Sequence, residues 1–89
     1  MNLCDSDRKA ILEEAKRAGI GVVYVFGSVL LETGEPRDID IAVKEVPGVA
    51  FFRFYAALSR RLSRPLDVID LDQQNAVTNL ILREAVRLG

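Results

Sequence analysis

Gly21-Val22-Val23-Tyr24-Val25-Phe26-Gly27-Ser28 and, nine residues on, Asp38-Ile39-Asp40-Ile41-Ala42-Val43-Lys44 decide the architecture. The first run is short, β-branched and aromatic, with glycine at both ends, and reads as a buried strand. Gly27-Ser28 breaks it. The second run alternates: Ile39, Ile41 and Val43 point one way, Asp38, Asp40, Ala42 and Lys44 the other. Such a strand covers a core with one face and carries carboxylates on the other.

Working outward, Ser6 to Ala18 places Ile11, Leu12, Ala15 and Ala18 at helical spacing. Asp5 or Ser6 is suited to cap its start and Gly19 to end it. Val29 to Glu32 reads as a short helix or turn, and Thr33-Gly34-Glu35-Pro36 as a loop. After Pro47-Gly48, a helix is expected over Ala50 to Leu62, with Phe51, Phe54, Tyr55, Leu58 and Leu62 on one stripe. Phe52 and Ala56 lie beside it, as an interaction patch or as further core. Leu66 to Leu71 follows Pro65 as a third strand. Asn75 to Leu88 reads as a last helix with its final residues extended. The order αβ(α)βαβα predicts an α+β domain over residues 1–89: a small mixed β-sheet with helices packed on it.

Composition narrows the chemistry. The chain has 89 residues, 12 Lys+Arg against 13 Asp+Glu, one cysteine and no histidine. Near-neutral charge argues against direct nucleic-acid binding. Arg60, Arg61 and Arg64 read as a solvated helix end. A lone Cys4 and no His exclude a Cys/His zinc site, a Ser-His-Asp triad and a Cys-His nucleophile. Carboxylates, hydroxyls and a metal remain. With no apolar leader at Met1 to Arg8 and no apolar run longer than Ile20 to Phe26, no membrane association and a cytoplasmic setting are expected.

The candidate chemistry lies in three places. Gly27-Ser28 offers a sharp turn, close approach and a hydroxyl to a phosphate. Asp38 and Asp40, two apart on a strand, share a face about 6.6 Å apart along the backbone. Leu66-Asp67-Val68-Ile69-Asp70-Leu71-Asp72 can add another carboxylate. Alternation sets Asp67 with Ile69 and Leu71, and Asp70 and Asp72 with Leu66 and Val68. It leaves open which group faces the site. Carboxylates gathered in this way repel one another unless a cation joins them. Mg²⁺, held by one or two carboxylates and substrate phosphates, is the natural choice.

In series, Phe26-Gly27-Ser28, Asp38-Ile39-Asp40-Ile41 and Leu66-Asp67-Val68 resemble the nucleotidyltransferase superfamily of DNA polymerase β, whose palm-like core carries these motifs in this order. The compact size and the closing Ile81-Leu82-Arg83-Glu84-Ala85-Val86 resemble the minimal nucleotidyltransferases, the antitoxin partners of HEPN-domain toxins. The resemblance implies that Asp38, Asp40 and Asp67 hold two Mg²⁺ ions, with Asp67 helping to activate the acceptor. It implies that Gly27 and Ser28 bind the triphosphate of ATP. It further implies transfer of AMP to a hydroxyl, a tyrosine of a HEPN-type toxin. Oligomeric state stays open.

The loop departs from the family pattern of Gly-Ser-x-Ala-Arg-Gly. Leu31 replaces the basic residue and Glu32 adds a negative charge, while Arg37 before Asp38 restores a positive one. An alternative follows: an antitoxin with a weak or inactive site that neutralises its partner by binding alone. A third is a catalytic fragment that assembles with a separate substrate-binding subunit.

Overall fold

A computed structural model describes residues 2–30, 37–73 and 75–89. It contains α1 (Asp5–Ala18), β1 (Val22–Phe26), a 3-10 turn (Gly27–Leu30), β2 (Ile39–Lys44), α2 (Ala50–Ser59), β3 (Leu66–Asp70), α3 (Ala76–Glu84) and β4 (Val86–Arg87). The four strands form one mixed sheet in the order β3-β2-β1-β4. β1 runs antiparallel to β2 and β4, and β2 runs parallel to β3. The loop residues Leu31 to Pro36, including Leu31 and Glu32, lie outside the described residues.

The alternation read from β2 is the alternation of the sheet. Ile39, Ile41 and Val43 are buried and join Val23, Val25 and Leu66 in the core. Ala10, Ile11 and Ala15 of α1 and Phe54 and Leu58 of α2 close over them. Five of these, Ile11, Val25, Ile41, Val43 and Leu58, are fully shielded, and each aliphatic side chain so buried contributes about 1.5–3 kcal/mol. Register sets Phe26 beside Asp40 and Asp40 beside Asp67, so the opposite face carries the polar groups.

The helix ends differ from expectation in instructive ways. Neither Asp5 nor Ser6 caps α1: Cys4 is the N-cap residue and makes no side-chain cap bond. Of the two acids in that first turn, Asp5 and Asp7, the second is turned elsewhere. Its Oδ1 and Oδ2 accept from the backbone N–H (3.1 Å) and hydroxyl (2.6 Å) of Ser63, tying α1 to the chain leaving α2. Gly19 ends α1 in the left-handed conformation, as its position suggests.

α2 stops at Ser59, short of Leu62. The N–H groups of Arg61 and Leu62 both turn back to the Leu58 carbonyl, which tightens the chain and releases it. Arg61 is thereby aimed at α1, where it pairs with Glu13 and Glu14, each at 2.7 Å. Tyr55 is half exposed, and its hydroxyl donates to the Leu66 carbonyl. Phe52 is 77% exposed and so does not belong to the core.

β3 ends at Asp70, one residue before Leu71. α3 starts where Asn75 caps it: the Asn75 side chain accepts from the N–H groups of Val77 and Thr78, and Thr78 Oγ1 accepts from Asn75 N–H. It ends at Glu84, not near Leu88. Ala85 is extended, and Val86–Arg87 pair with Val25 and Tyr24. An outer edge of β1 was available, and backbone pairing there outweighed continuation of a helix. Among the described residues no helix is long and apolar enough to cross a membrane.

Candidate functional site

Gly27 stands at the point where β1 ends. Its φ of +72° is a conformation that side chains disfavour. A Cβ there would also collide with Asp40 Oδ2 and lie 3.3 Å from Asp40 Cγ. Backbone and carboxylate are therefore in direct contact across the last β1–β2 pair, Phe26 with Asp40. One residue on, Ser28 Oγ donates to the Asp38 carbonyl at 3.3 Å and ties the turn to the start of β2.

The carboxylates assemble from two strands. Asp38 is exposed and stands just before β2, and Asp40, two residues on and within the strand, is half-buried. Asp67 of β3 is the parallel register partner of Asp40, and neighbouring strands lie about 4.8 Å apart. Burial raises the Asp40 pKa above the usual carboxylate value, and the nearby charges of Asp67 and Asp38 add to the rise. The structure thus brings Asp38, Asp40 and Asp67 to one face.

Asp70 and Asp72 have other work. Asp70 is the register partner of Val43, on the opposite face, and its Oδ1 accepts from Asp72 N–H. Asp72 accepts from the N–H groups of Val46 (3.0 Å) and Glu45 (2.8 Å), and these bonds hold its pKa low. They brace the turn after β2, where Glu45 has a φ of +60°. This bracing is not visible in the sequence, because residues 45 and 72 are brought together only by the β2–β3 pairing.

Among the described residues, no three His, Cys, Asp or Glu side chains form a ready-made cation cage. The three carboxylates nevertheless fit a hard divalent cation in chemistry. They offer oxygen only, and burial and the charges of Asp67 and Asp38 raise the Asp40 pKa. Remaining coordination would have to come from a ligand.

A groove of about 410 Å³ adjoins Gly27, lined by Phe26, Gly27, Leu80, Ile81, Arg83 and Glu84. A second cavity, about 440 Å³, lies between α1 and α2 beside Glu14, Arg17 and Phe54. It belongs to the helical layer on the other face of the sheet, away from the carboxylates. Arg61 is committed to Glu13 and Glu14, as a structural cation and not a free one.

A Gly-Ser turn leading from one strand to a second that carries two carboxylates, with a third on its parallel neighbour, defines a nucleotidyltransferase core of the polymerase β type. The family model described as polymerase beta, nucleotidyltransferase, matches residues 9–88, and the chain belongs to this family. No curated protein matches it in sequence. Among solved structures it is similar to a minimal nucleotidyltransferase, 30% identical with a TM-score of 0.67, covering 89% of this chain and 86% of that one. It shares its fold with a chain of a toxin-antitoxin crystallised with AMP-PNP (22% identity, TM-score 0.74, 92% of this chain and 72% of that one). It likewise shares it with a chain of the complex of the Shewanella oneidensis MNT antitoxin and its tri-AMPylated HEPN toxin (21% identity, TM-score 0.70, 93% and 69%).

Proposed function

We propose that this protein transfers AMP from ATP to a hydroxyl of a partner protein, a tyrosine of a HEPN-type toxin, and acts as that toxin's antitoxin. The observation that carries this reading is the Asp40–Asp67 register pair directly beside Gly27. The neighbours crystallised as toxin-antitoxin complexes, one with an AMPylated toxin, supply the acceptor class. Residues 1–89 act as one domain in the cytoplasm.

In this reading Gly27 and Ser28 hold the triphosphate, and Asp38, Asp40 and Asp67 hold Mg²⁺, two ions in all. Bound Mg²⁺ neutralises the carboxylates and the phosphates and lowers the pKa of an oxygen bound to it. Asp67 helps to activate the acceptor hydroxyl. As Asp67 takes up the hydroxyl proton, the acceptor oxygen bonds to the α-phosphorus, the bond from that phosphorus to the bridging oxygen breaks, and pyrophosphate leaves.

The test is label transfer from α-labelled ATP with Mg²⁺ to the adjacent gene's product, with Asp38→Ala and Asp40→Ala beside the wild type. Label on the partner that vanishes in both variants is expected; full transfer by both would end this reading. A second reading, neutralisation by contact alone, is favoured by the altered loop sequence, in which Leu31 stands where the family pattern has a basic residue and Glu32 adds a negative charge. It requires that both variants still form the complex and still protect cells.

A further inference from the structure

The site as described has three carboxylates and no basic side chain. The sequence from Gly27 to Pro36 contains no Lys or Arg, and it adds Glu32 and Glu35. A triphosphate seated at Gly27 would meet the carboxylates of Asp38, Asp40 and Asp67, and Arg37, beside Asp38, is the one Lys or Arg in the sequence from Gly27 to Asp40. Metal ions at Asp38, Asp40 and Asp67 would neutralise the carboxylates and the nearest phosphate oxygens. The outer phosphates would still need a cation from the protein.

α3 provides one. Arg83 lines the groove that Gly27 also lines, and it is the one Lys or Arg among the described residues that does so. No ion pair engages it among those residues. Its position is fixed at both ends: Asn75 caps the start of α3, and Val86, three residues after Arg83, pairs with Val25, two residues before Gly27. The strand pairing therefore holds the last turn of α3 against the end of β1. A basic residue in the last turn of a helix also complements the helix dipole, which is the ordinary reason to find one there. That reason does not account for its facing the groove beside Gly27.

Building on the nucleotidyltransferase reading above, we infer that Arg83 is a nucleotide-binding residue. Its guanidinium contacts the phosphates of ATP beyond the α-phosphate and replaces the loop cation that Leu31 displaces. Guanidinium matches phosphate with paired N–H donors, which favours Arg over Lys in this role.

The experiment is calorimetric titration of the full chain with AMP-PNP and with AMP, both with Mg²⁺. It compares wild type, Arg83→Gln, Arg83→Lys and, as a charge control at the exposed residue that caps the end of α2, Arg60→Gln. Arg83→Gln should weaken AMP-PNP about tenfold or more, the loss of a hydrogen bond to a charged group. AMP binding should be unchanged, Arg83→Lys should recover part of the loss, and Arg60→Gln should bind as wild type. Arg83 is exposed, so thermal unfolding of the free variants should match the wild type. Unchanged AMP-PNP binding in Arg83→Gln overturns the inference and leaves the reading of the site intact. Equal weakening of AMP and AMP-PNP overturns it too, since that pattern marks a structural role. A wild type that binds neither ligand removes the nucleotidyltransferase reading and this inference with it.

Discussion

Asp40 occupies the space that a side chain on residue 27 would need, so the glycine of the turn and the carboxylate of the strand are a matched pair. Gly27→Ala is expected to strain the backbone by about 1–2 kcal/mol and to displace the Asp40 carboxylate. Chemical denaturation should show the loss of stability. Nucleotide transfer should fall further than that loss explains, because the carboxylate has moved. Wild-type transfer by a folded Gly27→Ala protein would show that the contact has no bearing on the chemistry.

Asp40 and Asp67 repel each other when no cation is present. Asp40→Asn should therefore leave the metal-free protein as stable as the wild type, or more stable by roughly 0.5–1 kcal/mol, while abolishing transfer. Added Mg²⁺ should raise the unfolding midpoint of the wild type and not of the variant. A midpoint insensitive to Mg²⁺ in both proteins would argue that these carboxylates bind no cation.

The Asp7–Ser63 contact should make stability depend on acid. Burial pushes the Asp7 pKa up, but hydrogen bonds from the Ser63 hydroxyl and backbone outweigh it, and the pKa is lowered from 3.8. The folded state thus favours the ionised form. Its contribution is complete above the unfolded pKa and disappears as pH falls through the lower, folded one. Ser63→Ala should cost about 1–2 kcal/mol at neutral pH and flatten the acid limb of a stability–pH curve. Parallel curves for wild type and variant below pH 5 would contradict this.

Asn75 caps α3 with two backbone bonds. Asn75→Ala should cost about 1 kcal/mol. It should also speed hydrogen exchange in the first turn of α3 well before that of β1 or β2. Since α3 carries the wall of the groove beside Gly27, nucleotide binding should weaken in parallel. Uniform acceleration across the sheet would place the effect in global and not local unfolding.

Much of this molecule could be read before it was seen. Alternation in Asp38–Lys44 announced a strand with one apolar face, and Gly19, Gly27 and Pro47-Gly48 marked the breaks. The polar face of β2 was legible because Asp40 lies within the alternating run and Asp38 just before it. Which carboxylate of β3 lies beside Asp40 was not. Choosing between Asp67 and Asp70 needed the β2–β3 register, a relation between distant segments that periodicity within either one does not contain. The extended tail was expected, but its pairing with β1 was not legible, for a similar reason. Two residues carry no period, and Val86–Arg87 became a strand only because β1 had an unpaired edge. The Asp72 brace escaped as well, since it gains its meaning from a turn far along the chain.

The strand order leaves β3 at one margin of the sheet, where no other strand among the described residues pairs with its outer side. Two of its five residues are aspartates, on opposite faces. A second sheet or a second copy that tried to extend the ladder there would have to bury both charges, which discourages such growth. Asp67 would then serve as a gatekeeper against association as well as in chemistry. Replacing it with an apolar residue should yield a protein that is both inactive and sticky, whereas Asp67→Asn should separate the two defects.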